Sequence, residues 1–377
     1  MQALAEKLPL LLVSASGRAL AQSAARAGVP VVVLDLFNDL DARALAVASR
    51  GVAGRNGKFD SRRLLVAAQE LCPPERCAGL VYGSGLEGRL GLLARLSNGR
   101  ALLGNRLETV ATLKDPARFF SLLDSLGIAH PEVRLDPPTN VAGWLVKRTG
   151  GAGGGHVRQA RSRHRTRARR YFQRFQPGRT LSVLFVADGR RARIIGFNEQ
   201  WTAGVRYCAP YCYGGAVSQA PLPQRTRRQV GGQLDDLVQA SGLVGLNGLD
   251  FMLAGETPFV LEVNPRPTAT IDLYDADFDG GLLALHLCAC GGELAEIPTT
   301  ANVARAHAIV YSAVALRVPV GIEWPEWCTD LPEGGSVIPM GAPVCSVHAQ
   351  AATNAGARDL VLARRSRMED SLWERAA

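Results

Sequence analysis

Leu249-Asp250-Phe251-Met252 and, beyond Ala254-Gly255-Glu256-Thr257-Pro258, Leu261-Glu262-Val263-Asn264-Pro265-Arg266 read as two strands joined by a turn. Residues two apart in a strand share a face, so Glu262, Asn264 and Arg266 line one wall while Val263 points into the core. Antiparallel pairing across the turn brings the carboxylates of Asp250 and Glu262 together. Hard oxygen donors in that arrangement suit Mg²⁺ held jointly with the phosphates of a nucleotide. The alternative is a surface strand with solvated charges.

The 43 basic residues include only four lysines: Lys7, Lys58, Lys114 and Lys147. In a chain that uses arginine almost everywhere, the remaining lysines mark positions where a compact ammonium is needed. Lys147 ends the apolar run Trp144-Leu145-Val146 and precedes Gly150, Gly151, Gly153, Gly154 and Gly155. Bare backbone N–H groups in such a turn approach an anion closely, and the lysine adds a point charge, so this is a phosphate-binding arrangement. Lys114 stands before the helical run Ala117 to Leu126.

Upstream, the pattern is a strand (Leu10 to Val13), a helix (Ala19 to Ala27), a strand (Val29 to Leu34), a helix and a strand (Gly79 to Tyr82). Such βαβ alternation predicts a parallel sheet with crossover helices. Ligands of open parallel sheets bind outside the carboxyl ends of the strands. That makes the turns Ser14-Ala15-Ser16-Gly17-Arg18 and Gly83-Ser84-Gly85-Leu86-Glu87 candidate substrate contacts, with Ser16, Arg18, Ser84 and Glu87 as the polar groups. A dinucleotide-dependent oxidoreductase with Asp35 on a ribose is the competing reading, but the first turn lacks the GxGxxG spacing.

In order, LLGNRLETVATLKDPARFF, WLVKRTGGAGGGHV, FQPGRTLSVLF, GLNGLDFML and FVLEVNPRP resemble the ATP-grasp ligases over residues 102–272, and within them the branch akin to biotin carboxylase and the carboxylate-amine ligases. The resemblance implies an α/β (α+β) ATP-grasp fold: a Rossmann-like substrate domain over 1–104, a nucleotide-binding body over 105–300 with a lid at about 140–190, and a β-rich C-terminal subdomain over 301–377. It further implies that Lys114, Lys147, Gly151, Gly153, Gly154, Gly155 and Phe175 bind ATP, and that Asp250, Glu262 and Asn264 hold Mg²⁺ or Mn²⁺. Lys147 and Arg266 are the implied catalytic cations, Arg266 steadying an acyl phosphate beside the substrate. The implied activity is amide formation from a small-molecule carboxylate and an amine through that acyl phosphate, or, as the alternative, carboxylation through phosphorylated bicarbonate. A non-catalytic nucleotide-binding regulator on the same scaffold is countered by the complete Lys, Asp, Glu, Asn and Arg set. One departure stands out: Gly178 of the PG turn is followed by Arg179 and Thr180 where the family often has an acid, which affects the contacts to ribose and adenine. The GSGLE turn, NPRPTATID and the WPEW to IPMGAPVCSV tail resemble a branch tied to one-carbon cofactor synthesis (methanofuran or tetrahydromethanopterin type) in methylotrophs, with an amino acid such as glutamate as the coupled group.

At 377 residues, 47% hydrophobic and 20% charged, the chain is expected to be soluble, globular and cytoplasmic, with a homodimer allowed. Leu10 to Val13 is too short to span a membrane and reads as a first strand rather than a signal. The eight cysteines form no CxxC pair and read as free thiols. Cys208 and Cys212 are read as part of a mobile aromatic loop over the active site in preference to a metal pair. The net charge of +9 suits anionic small molecules. Its densest run, Arg158 to Arg170, lacks a glycine-aromatic RNA signature and reads as a solvated lid helix, so no nucleic-acid partner is expected. A strand over His307 to Leu316 opens the C-terminal part, and His286 and His348 read as satisfied core histidines.

Overall fold

A computed structural model describes residues 8–162, 169–297 and 303–374. The N-terminal sheet has four parallel strands in the order β3-β2-β1-β4: β1 (Leu10–Val13), β2 (Val31–Asp35), β3 (Ala48–Gly51) and β4 (Gly79–Tyr82). Its helices are α1 (Arg18–Arg26), α2 (Leu40–Leu45), α3 (Ser61–Leu71) and α4 (Leu90–Ser97). Leu11 and Val13 pack with Leu64 of α3 and Leu93 of α4, whereas Leu10 and Leu12 pack with Leu20 of α1 and Leu282 beneath. Burial on both faces is why β1 and β2 read as unbroken apolar runs instead of alternating ones. β3 is an addition to the expected strands. Its sequence Ala-Ser-Arg-Gly is half-buried along its whole length, an edge strand without an apolar signature.

A small antiparallel sheet, order β5-β8-β6-β7, comprises β5 (Val133–Arg134), β6 (Trp144–Arg148), β7 (Arg158–Gln159) and β8 (Arg170–Arg174). Its core is Trp144, Val146, Ala160 and Phe172. Of the expected lid helix over Arg158 to Arg170, both described ends are strands, and residues 163–168 lie outside the described residues.

The largest sheet has eight antiparallel strands, β13-β12-β9-β10-β11-β14-β18-β16: β9 (Arg179–Asp188), β10 (Ala192–Thr202), β11 (Tyr213–Val217), β12 (Val244–Ala254), β13 (Thr257–Asn264), β14 (Ala304–Tyr311), β16 (Cys328–Thr329) and β18 (Pro343–Ala351). A two-stranded ribbon pairs β15 (Leu316–Arg317) with β17 (Val337–Ile338). On one face Val183 and Phe185 pack against α5 (Leu107–Lys114), α6 (Pro116–Ser125) and α7 (Gln224–Ser241) through Leu113, Phe120 and Leu234. On the other, Leu184 and Val186 pack against α8 (Gly281–Cys290) and the N-terminal sheet. Each fully buried apolar side chain here contributes roughly 1.5–3 kcal/mol by removal from water.

Two expected boundaries change. β9 falls within 179–188, inside the expected lid, yet pairs with β10 and β12 in the large sheet. The C-terminal strands β14, β18 and β16 also continue that sheet, and a helix not foreseen, α9 (Asn354–Glu374), covers them through Val361, Met368 and Leu372. The expected start of this part at Ala301 lies outside the described residues. Its first strand runs Ala304–Tyr311 and breaks at Ser312, whose hydroxyl donates to the Val314 carbonyl (2.7 Å). No described helix is long and apolar enough to cross a membrane.

Candidate active site

The hairpin β12–β13 builds the first wall. Asp250 is paired directly with Glu262, and a bulge follows between Asp250 and Phe251. The turn is tighter than expected: β12 ends at Ala254 and β13 begins at Thr257, with Gly255 at φ 62°, a backbone conformation suited to glycine. The Asn264 amide donates to Asp250 Oδ2 (2.9 Å) and the Gln200 amide to Asp250 Oδ1 (3.2 Å).

Lys114 is the last residue of α5. Pro116 disfavours helical geometry at Asp115, so one helix stops and the next starts, with Asp115 capping it by accepting from the Arg118 N–H (3.0 Å). This break aims the Lys114 ammonium at Glu262 Oε2 (3.1 Å) and Asn264 Oδ1 (3.3 Å). Lys147, on β6, makes no hydrogen bond or close ion pair among the described residues, and it lies within electrostatic reach of Glu262 and Asp250. Burial lowers its pKa against the pull of those carboxylates. Burial alone would raise Glu262, but Lys114 and Lys147 hold it below the usual range. Asp250 is pushed up to about 6 by burial and by the facing Glu262.

Arg266 lies just beyond the strand, 7% exposed, and forms a short ion pair through Nε with Glu87. Its guanidinium also donates to the Pro267 carbonyl (2.9 Å) and to Asn264 Oδ1 (3.4 Å). Glu87 is itself 3% exposed and accepts from the Gly85 N–H (2.7 Å). Burial would raise its pKa, but Arg266 and Lys114 hold it low. Glu87 therefore acts on Arg266, and offers no open face to a ligand.

The glycine-rich turn is packed down at two points where a side chain has no room. A Cβ on Gly150 (φ 65°) would stand 2.5 Å from Gly88 Cα, and one on Gly154 (φ 69°) 1.7 Å from the Tyr211 carbonyl oxygen. The loop carrying Cys208 and Cys212 thus lies against the turn, and the Gly153 carbonyl accepts from the Tyr213 N–H (3.0 Å). Cys212 donates to the Tyr311 hydroxyl (3.4 Å), and no group of three or more His, Cys, Asp or Glu suited to a metal exists among the described residues. His156, missed in the sequence, follows the glycines directly. It lines a cleft with Lys114, Arg148, Gly150, Gly151, Tyr171 and Glu262, and its Nδ1 is buried with no hydrogen-bond partner among the described residues. Burial lowers its pKa. The run GGGH was a legible signal; Gln200, in the middle of a long strand, gave none.

The remaining expected residues have the following partners. Phe175 is 48% exposed, with its N–H on the Gly143 carbonyl (2.8 Å). Ser16 donates to Asp330 (3.0 Å), and Arg18, 3% exposed, is paired with both Asp272 (2.6 Å) and Asp330 (3.3 Å). Ser84 holds the first turn through its carbonyl, which accepts from the Ala15 N–H (2.8 Å). Asp35 is 1% exposed and accepts from the N–H groups of Gly17, Phe37 and Asn38, so the turn consumes the carboxylate that a ribose would need. Arg179 pairs with Glu199 (3.3 Å). His286 is satisfied by the Leu246 N–H and the Leu103 carbonyl, and His348 by the Thr329 hydroxyl (2.7 Å).

The donor set fits Mg²⁺: two facing carboxylates, of which Asp250 is raised by burial and then by the Glu262 charge, an amide oxygen beside them, and cations nearby for phosphate. Residues 114–270, starting at Lys114 itself, match the ATP-grasp domain family. No protein of curated function matches the sequence. Among solved structures, the chain is similar to the biotin carboxylase domain of Hydrogenobacter thermophilus 2-oxoglutarate carboxylase, in complex with MgADP, ADP and bicarbonate (12% identity, 92% of this chain and 87% of that one, TM-score 0.68). It is similar also to N5-carboxyaminoimidazole ribonucleotide synthetase from Thermus thermophilus (17%, 95% and 98%, 0.67) and to L-amino acid ligase from Bacillus licheniformis (13%, 97% and 98%, 0.69). Residues 114–270 are thus an ATP-grasp domain, and the chain around it takes the mixed α/β ATP-grasp fold.

Proposed function

We propose that the protein is an ATP- and Mg²⁺-dependent carboxylate-amine ligase. The observation that carries this is the facing pair Asp250 and Glu262, flanked by Asn264, with three cations (Lys114, Lys147 and Arg266) converging on it. Phosphoryl transfer depends on positioning and charge neutralisation, and this site is rich in both. Asp250, Glu262 and Asn264 would hold Mg²⁺, which neutralises phosphate charge when bound. Lys114 and Lys147 bind the phosphates, and Gly151, Gly153, Gly154 and Gly155 close over them with backbone N–H groups. Arg266, oriented by Glu87, steadies the acyl phosphate formed when the substrate carboxylate takes the γ-phosphoryl group. The amine then displaces phosphate to give the amide.

Glutamate coupled to a precursor of a one-carbon cofactor is the narrower form of this reading, and a homodimer is its proposed assembly. The test is ADP release with MgATP against a panel of amino acids and bicarbonate, each with and without an amine. Release that needs an amino acid carboxylate supports the ligase; release on bicarbonate alone assigns a carboxylase instead.

A further inference from the structure

His156 closes the glycine-rich turn, and the reaction outlined so far gives it no role. The turn folds back through Gly153 and Gly154 (φ 67° and 69°), and the Val157 N–H donates to the Gly154 carbonyl (3.0 Å). That reversal lays the His156 ring on Gly151. A Cβ on Gly151 would stand 2.5 Å from Cγ, Cδ2 and Nδ1 alike, so the ring turns its face to the Gly151 backbone and needs a glycine beneath it. Held this way, the imidazole lines the cleft shared by Lys114, Arg148 and Glu262, and its Nδ1 is buried with no hydrogen-bond partner among the described residues. The cleft is narrow, about 20 Å³, room for one water-sized group.

A buried polar nitrogen without a partner is destabilising, and native proteins hold few of them. The surroundings of this one say what would satisfy it. Lys114 and Arg148 line the same cleft and Lys147 lies within electrostatic reach, so a group that enters meets positive charge. The carboxylate there, Glu262, is already bonded to Lys114 (3.1 Å). Such a cleft attracts an anion, and the phosphates of the nucleotide are the anions that the proposed reaction brings to it. We propose that His156 is a phosphate ligand: when MgATP binds, its Nδ1–H donates to a phosphate oxygen and positions the polyphosphate between the turn and Lys114. This rests on the nucleotide site of the ligase reading. The role needs no proton transfer. Burial lowers the His156 pKa against the pull of Glu262, and Lys147 and Arg148 lower it further, so the ring is neutral at pH 7 and carries a single N–H. A neutral donor adds a directed bond where the lysines act as point charges. Seating a phosphate in so narrow a cleft requires the turn to lift, which its glycines allow.

The test is binding of a Mg²⁺-bound, non-hydrolysable ATP analogue to the full-length protein by isothermal titration calorimetry at pH 7, which needs no carboxylate or amine. His156→Asn carries an amide nitrogen two bonds from Cβ, where Nδ1 stands, and His156→Gln carries it one bond further, where Nε2 stands. A hydrogen bond to a charged phosphate is worth about 10–100-fold in affinity, so His156→Gln and His156→Ala are expected to raise Kd by about that factor. His156→Asn is expected to bind close to wild type. If the ring only props the turn, Asn is no better than Ala. Nitrogen NMR of the wild type, labelled in its histidine rings, reads the bond without any substitution: the proton resides on Nδ1 in the complex. His156→Asn binding as weakly as His156→Ala, Gln and Ala variants binding like wild type, or an unprotonated Nδ1 in the complex each overturns the assignment while leaving the nucleotide site standing. A wild type that does not bind the analogue removes the nucleotide site itself, and the role of His156 with it.

Discussion

Replacing Asp250 by asparagine is expected to stabilise the metal-free protein while abolishing its response to MgATP. Asp250 is raised from 3.8 to about 6 by burial and the facing Glu262 carboxylate, so the ionised form is disfavoured by roughly 3 kcal/mol at 1.36 kcal/mol per pKa unit. Asparagine removes that charge but has one acceptor oxygen for the amides of Gln200 and Asn264, so one of these bonds is lost at about 1 kcal/mol. The net gain is about 2 kcal/mol. Its pH dependence follows from linkage: a raised acid pKa means the folded state holds the proton more tightly, so the wild type carries no penalty below 3.8 and the full one above about 6. The advantage of Asp250→Asn therefore grows as pH rises through that window. The assay is urea unfolding in EDTA from pH 4 to 8, repeated with a saturating Mg²⁺-bound, non-hydrolysable ATP analogue. Ligand at about 100 times its Kd adds about 2.7 kcal/mol to the wild type and nothing to the variant, so the order of stability reverses. A variant less stable than wild type in EDTA at pH 8, or one still stabilised by the analogue, refutes the carboxylate pair as the metal wall.

Lys147→Ala and Glu262→Gln should each abolish ATP turnover with the far-ultraviolet circular dichroism unchanged, since neither side chain fills a core; wild-type ADP release in either would remove it from the phosphate site. Arg266→Lys keeps the charge but loses the planar fork that reaches Glu87, Pro267 and Asn264, and should lower kcat by about 10²-fold with nucleotide affinity little changed. Glu87→Gln leaves the Arg266 cation buried without its counter-charge and should cost about 3–5 kcal/mol in denaturant unfolding. Amide hydrogen exchange should show added protection over 148–156 when Mg²⁺ and an ATP analogue bind; unchanged exchange would make the glycine turn a structural loop.

The hairpin was legible because its period of two and its acids sit within a few residues of each other, and the facing of Asp250 and Glu262 follows from local register alone. The parallel N-terminal strands were equally legible as apolar runs, apart from half-buried β3, whose pairing with β2 is set by its edge position. Helix α9 escaped notice because its charges surround Val361, Met368 and Leu372, which gain meaning only against the C-terminal strands. For the site, residue type was informative and partnership was not. Glu87, Ser16 and Arg18 were recognised as polar groups at strand ends, but their partners Arg266, Asp330 and Asp272 lie 179, 314 and 254 residues away. No local pattern could tell a group that meets a ligand from one that holds the site's wall.

Transfer of carboxylate oxygen to phosphate tests the central claim most directly. With MgATP, an amine and a carboxylate substrate enriched in heavy oxygen, released phosphate is collected and weighed by mass spectrometry. An acyl-phosphate route breaks the bond between the substrate's carbon and its own oxygen, so one heavy oxygen must appear in each phosphate released with amide. Unlabelled phosphate accompanying amide formation would contradict the account.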